Sequence, residues 1–164
     1  MHSAGAAGNF LAPMDQISPN AMKSVIDIDV LGSWNTVKAI LPHLLKSAAK
    51  HKTDGKTRPP NGTGGGIIFV SATLDYTGTP MQSHVSVAKA GVDAMAMSVA
   101  IEQGPRGVTS NVIAPGPIAD TEGVARLLKS EGRDRSAKGI PSGQYGTIKE
   151  ISDATIYFFS DSGN

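Results

Sequence analysis

Cysteine is absent from this 164-residue chain. That excludes a disulfide scaffold, a thiolate nucleophile and any cysteine-ligated metal. No apolar run approaches the roughly 18 residues that a membrane span needs. Residues 1–12 lack the basic start and apolar block of a secretory signal. Charge is scarce and balanced, with 18% charged residues and a formal net charge of +1. A nucleic-acid binder driven by phosphate neutralisation is not indicated. His2, His43, His51 and His84 share no metal-ligand spacing, so no metal is expected. What the chain does have is 40% hydrophobic residues and 19 glycines. That is enough apolar material for a core and against wholesale disorder. Together these numbers predict one soluble domain of a reducing compartment.

Residues 3–10 are all small until Phe10 and suit a buried strand end running into a loop. Ser18-Pro19 reads as a helix start, with Ser as N-cap and Pro at the first helical position. Met22, Val25, Ile26, Trp34, Val37, Leu41, Leu44 and Leu45 then recur mostly at helical spacing. The spacing predicts one long helix over 19–45, bent near Gly32 and Pro42. Residues 46–66 combine Lys46, Lys50, Lys52, Lys56 and Arg58 with Pro-Pro and Gly-Gly-Gly. This predicts an exposed, flexible insertion over 47–65. A basic recognition patch is the sharper reading of it, but no aromatic residue interleaves the charges. The Asn61-Gly62-Thr63 sequon is discounted without a secretory signal.

Ile67–Val70 reads as a buried parallel strand and residues 71–82 as a loop. Residues 83–103 are expected to form a second long helix, 108–114 a strand and 120–130 a short helix. A polar loop over 131–147 and a helix over 148–160 complete the order. Met81, Met95 and Met97 are read as packing residues. Helices alternating with apolar strands predict an α/β fold on a parallel sheet. Ligands of such sheets sit beyond the carboxyl ends of the strands. Three candidate ends, Gly5–Phe10, Ser71–Thr73 and Pro115–Thr121, are rich in small or hydroxyl residues.

Gly5-Ala6-Ala7-Gly8 after one strand, Lys89 within Ala88-Lys89-Ala90-Gly91, and Asn111-Val112-Ile113-Ala114-Pro115-Gly116-Pro117-Ile118 at the end of another form an ordered set. In order and spacing this set resembles the short-chain dehydrogenase/reductase family. Ala6–Phe10, Asp27–Gly32, Val70–Thr73 and Thr121-Glu122-Gly123 look more closely like its peroxisomal 2,4-dienoyl-CoA reductase branch. The resemblance runs from residue 4 to the end, apart from 47–65. It implies a Rossmann-like, doubly wound parallel sheet. The family's glycine fingerprint, G-x-x-x-G-x-G, is not in the sequence. The expectation is therefore a single partial domain over 1–164 that lacks the N-terminal nucleotide-binding half.

Departures from the general family are informative. Its catalytic tyrosine, four residues before the lysine, is Val85 here; its serine is Ala72 and its asparagine is Asp29. Without a phenol to protonate an alkoxide, ordinary carbonyl reduction is disfavoured. The dienoyl-CoA branch, by resemblance, uses an Asp and a Lys, which implies Asp29 and Lys89 as the catalytic pair and NADPH as cofactor. The resemblance further implies cofactor contacts from Lys89, Pro115, Gly116, Pro117, Ile118, Ala119, Asp120 and Thr121. Phe10, Ser18, Pro19, Asn20 and Arg126 would line an acyl-CoA site, with Arg126 on a phosphate. It implies a homo-oligomer built through helices 19–45 and 83–103, and a peroxisomal location.

Each residue also has a plainer reading. Asp29 and Lys89 read as exposed helix charges, Ser18-Pro19-Asn20 as a helix cap and Phe10 as core. Arg126 reads as solvated, and His84 as a helix-start residue rather than a proton relay. Two functional alternatives remain: a non-catalytic relic or helix-mediated interaction module, and another short-chain reductase acting on acyl thioesters.

Overall fold

The computed structural model describes residues 11–51, 64–127 and 137–163. Helix α1 (Pro19–Val25) begins as the Ser-Pro signal requires. Ser18 Oγ accepts from Ala21 N–H at 3.1 Å, and Pro19 occupies a position whose N–H has no helical partner. The chain then winds as a π-helix over Ile26–Leu31 before α2 (Gly32–Ala48) and a 3-10 turn over Ala49–His51. The expected helix of 19–45 is therefore a run to residue 51, with an altered winding just before Gly32. Pro42 lies inside α2 and does not end it. Residues 47–51 of the expected insertion are helical, Gly66 is in a strand, and 52–63 lie outside the described residues. So does the strand end Gly5–Phe10.

Strands β1 (Gly66–Val70) and β2 (Thr109–Ile113) pair in parallel, with Gly66 opposite Thr109 and Val70 opposite Ile113. A parallel pair needs a crossover. Here it comprises α3 (Leu74–Thr77), α4 (Ser83–Gln103) and a 3-10 turn over Gly104–Arg106. Residues 71–82, expected as loop, thus contain a short helix that ends at Gly78 in the left-handed conformation, φ 66°. Beyond β2 come α5 (Glu122–Leu127) and α6 (Ile148–Phe159). A capping box opens α6: Thr147 Oγ1 accepts from Glu150 N–H, and the Glu150 carboxylate accepts from Thr147 N–H.

The core lies where α4 and α2 meet the sheet. Val92, Ala96 and Val99 of α4 pack with Val37, Ile67 and Phe69. A smaller cluster of Val25, Val85 and Ala88 gathers Ile26, Val30 and Leu74 around it. Val85, at the position of the family's tyrosine, is a core residue. Of the methionines read as packing, Met95 touches the core, whereas Met81 and Met97 are exposed.

Candidate active site

Asp29 and Lys89 come from different elements and meet. The π-helical turn places Asp29 inward, and it is 5% exposed. The reading of Asp29 as an exposed helix acid is thereby overturned. Lys89 Nζ lies 3.5 Å from Asp29 Oδ2 and donates to the Val70 carbonyl, at the carboxyl end of β1, at 3.3 Å. Its side chain is 18% exposed, so it is not a solvated helix charge either. Gly91 lies where the two elements approach each other. A Cβ there would stand 3.1 Å from Val30 Cγ2, the residue after Asp29. Burial pushes the Asp29 carboxyl above its ordinary range, and the charge and hydrogen bond of Lys89 only partly offset this.

The ends of β1 and β2 are tied together beside this pair. Ser71 N–H donates to the Ile113 carbonyl at 2.9 Å, and Thr73 N–H to the Pro115 carbonyl at 3.0 Å. Ser71 Oγ donates to the Lys89 carbonyl at 3.4 Å. The loop Pro115–Thr121 therefore follows directly from the strand ends. Thr121 Oγ1 donates to the Ile118 carbonyl and accepts from Val124 N–H at the start of α5. Ile118 is bridged to Gly146: Ala119 N–H donates to the Gly146 carbonyl at 2.8 Å, and Gly146 N–H to the Pro117 carbonyl at 3.1 Å. A Cβ on Gly146 would stand 2.7 Å from Ile118 Cδ1. Asp120 holds φ 57°, an unusual conformation for a non-glycine residue. Gly116 is open, with only Thr73 Oγ1, at 3.8 Å, near the position of a Cβ. A flat ring can approach such backbone closely.

Other expected site residues are not gathered here. Ser18 and Asn20 sit at the exposed start of α1, where Ser18 Oγ is engaged as the cap and the Asn20 carbonyl accepts from Ser24 Oγ. Phe10 lies outside the described residues, as does the side chain of Arg126. His84 is the second residue of α4, buried, with Nδ1 unpartnered; burial holds its imidazole below the ordinary value of 6.5. Sequence reasoning missed Gly146, whose signal was only a glycine in a polar loop. It also missed Asp75, Tyr76 and Asp93, a cluster on α3 and α4. The signal available there was the spacing of Asp93, one helical turn after Lys89.

The family model described as enoyl-(acyl carrier protein) reductase matches residues 1–164. The chain belongs to the short-chain dehydrogenase/reductase family. It is 46% identical over 157 residues to a peroxisomal 2,4-dienoyl-CoA reductase of Saccharomyces cerevisiae, covering 96% of this chain and 48% of that protein. A peroxisomal 2,4-dienoyl-CoA reductase of Arabidopsis thaliana is 40% identical over 159 residues, covering 96% of this chain and 51% of that protein. The chain thus spans about half the length of the curated relatives it matches. A crystal structure of a short chain dehydrogenase from Bacillus anthracis superposes with TM-score 0.77 at 33% identity, over 95% of this chain and 56% of that one. A 3-ketoacyl-(acyl-carrier-protein) reductase from Brucella melitensis, complexed with NADH, gives TM-score 0.78 at 17% identity over 95% of this chain and 57% of that one, and shows the shared fold alone. The doubly wound, Rossmann-like architecture expected from the sequence is the fold of these neighbours.

Proposed function

We propose that this chain carries the catalytic part of an NADPH-dependent reductase that converts a 2,4-dienoyl-CoA to a trans-3-enoyl-CoA, a step in the β-oxidation of unsaturated fatty acids. The observation that carries the proposal is the buried Asp29–Lys89 pair at the carboxyl end of β1, with Val85 where a carbonyl reductase needs a phenol. The names of the relatives supply the substrate class and a peroxisomal location, and the cofactor follows from the family resemblance.

The residues present fit the nicotinamide end of a dinucleotide. Open backbone at Gly116 and the loop to Thr121 follow the end of β2, and the Lys89 ammonium lies at the end of β1, its neighbour in the sheet. When bound, the reduced nicotinamide supplies hydride to the distal end of the conjugated thioester. Lys89 has three donors. One reaches Val70, one faces Asp29, and the third is left for a ribose hydroxyl. Its positive charge also stabilises the negative charge that develops on the thioester oxygen. Burial shifts Asp29 toward its protonated form, and in that form it delivers a proton to the carbon next to the carbonyl, directly or through one water. Hydride and proton together complete the two-electron reduction, and Asp29 recovers its proton from solvent.

Ser18, Pro19, Asn20, Phe10 and Arg126 are assigned to the acyl-CoA side of the site by the resemblance. Exposed apolar side chains on the π turn, α2 and α4, among them Ile28, Leu31, Trp34, Val87 and Met97, support association with a second copy. The same surface favours the second reading, a non-catalytic interaction module.

NADPH oxidation with 2,4-hexadienoyl-CoA separates the two, measured for this chain and for one extended to the length of its relatives. Turnover that falls by about 10²- to 10⁴-fold in Asp29→Asn, the usual worth of a positioned proton donor, supports the mechanism. Turnover that survives both Asp29→Ala and Lys89→Ala refutes it.

A further inference from the structure

We propose that Asp75 and Asp93 hold one proton between them and so clamp α3 onto α4, which makes them positioning residues for the strand end Ser71–Thr73 and, through it, for Pro115. Tyr76 Oη donates to Asp93 Oδ2, joining α3 to the helix that carries Lys89. That bond leaves Asp93 Oδ1 buried with no partner, and Asp75 Oδ1 is buried and unpartnered too. Two neighbouring carboxylates with orphaned oxygens repel each other, whereas an acid–carboxylate pair has one donor and one acceptor.

Among the described residues no cation is at hand to replace the proton. Strands β1 and β2 carry no charged residue. The other charged groups on α4 are His84 and Glu102, each nine residues from Asp93, and Lys89, engaged with Asp29 and Val70. Of the elements packed against α4, α1 and the π turn offer Lys23, tied to Asp27, and Asp29, tied to Lys89. The 3-10 turn that follows offers Arg106, which donates to Gln103 Oε1 at 2.9 Å. On α3 the only titratable groups are Asp75 and Tyr76.

Burial and then the neighbouring Asp93 raise the Asp75 carboxyl above its ordinary range, against the smaller opposing pull of the Asp75 and Tyr76 backbone N–H groups. The same neighbour raises Tyr76 to about 12, so Tyr76 remains a donor throughout the range in which Asp75 titrates. The clamp is intact below the raised titration of Asp75 and is lost as pH rises through it. Its mechanical consequence runs along the backbone. Thr73 N–H holds the Pro115 carbonyl, and the Thr73 carbonyl accepts from Tyr76 and Thr77 N–H, so α3 and the loop end over Gly116 share one residue. The importance of that strand end rests on the reductase reading; the shared proton does not.

The test is carboxyl ¹³C NMR titration of this chain, with amide hydrogen exchange at Thr73, Tyr76, Thr77 and Gly78. In the wild type, the Asp75 carboxyl titrates above the ordinary aspartate range. As it ionises, exchange at those amides, corrected for base catalysis, speeds up by at least about tenfold as α3 opens locally. Asp75→Asn, which carries an N–H donor in place of the proton, exchanges slowly at every pH; Asp75→Ala exchanges fast at every pH. Ordinary titration of both aspartates, or corrected exchange that is flat in the wild type, overturns the clamp. A clamp that titrates as described in a chain extended to the length of its relatives, yet without dienoyl-CoA turnover, refutes the reductase reading and leaves the clamp standing.

Discussion

Replacing Lys89 with Met is the sharpest test of how the site is built, because it removes charge while keeping most of the volume. Asp29 is 5% exposed and has Lys89 at 3.5 Å. Breaking a buried pair by deleting one partner typically costs about 3–5 kcal/mol. The carboxylate has an escape, however: it can take up a proton. Starting from the ordinary value of 3.8, protonation costs at most about 4 kcal/mol at pH 7 and about 1.6 kcal/mol at pH 5, at 1.36 kcal/mol per unit. Loss of the bond to the Val70 carbonyl adds about 1 kcal/mol at either pH. A carboxyl whose folded pKa is raised contributes fully below its unfolded value and loses that contribution as pH rises through the folded value. Removing Lys89 lets burial raise Asp29 further, so the deficit grows with pH. The expected loss is about 3–5 kcal/mol at pH 7 and about 2 kcal/mol at pH 5, read from urea unfolding followed by circular dichroism. Asp29→Asn in the Lys89→Met background relieves most of the pH 7 loss. Equal deficits at the two pH values, or no relief from the second substitution, would refute the charge coupling.

Phe69→Ala removes a core ring that is 5% exposed and lowers stability by about 3–5 kcal/mol, seen as a shift in the urea midpoint. His84 is buried with a lowered pKa, so its contribution is complete above pH 6.5 and is lost as pH falls below that value. A His84→Gln variant should therefore show a smaller drop in Tm between pH 7.5 and 5.5 than the wild type.

The elements were legible in the sequence where local chemistry and packing agree. Ser18-Pro19 fixes the start of α1, the second long helix occupies residues 83–103 as expected, β1 begins one residue before the expected strand, and β2 is one residue shorter at each end. The π turn was not legible, because Ile26–Leu31 contains neither Gly nor Pro and nothing local asks for five-residue hydrogen bonding. The extension of α2 past Leu45 was hidden by lysines, which cover a helix end as readily as a loop. Within the site, Asp29 and Lys89 were named through the resemblance alone. Their contact is a tertiary fact with no periodic signature. Asp75 and Asp93 were passed over because an exposed acid and a buried one look alike in a sequence.

One property of α4 connects the core to the chemistry. Its buried face runs Val85, Ala88, Val92, Ala96 and Val99, alternating β-branched residues with alanines. The small residues let the helix lie close to the sheet, close enough for Ser110 Oγ of β2 to donate to the Ala96 carbonyl at 2.9 Å. At that separation a lysine side chain starting beside Ala88 spans the gap to the last carbonyl of β1. A bulkier residue at 88 or 96 would push α4 outward and withdraw the Lys89 ammonium from Val70 and Asp29 together. The same helix presents Asp93 one turn on, where it holds Tyr76 and the segment that ends at Thr73. Packing density along one helix face therefore sets the position of both the charge that faces Asp29 and the anchor of the neighbouring strand end.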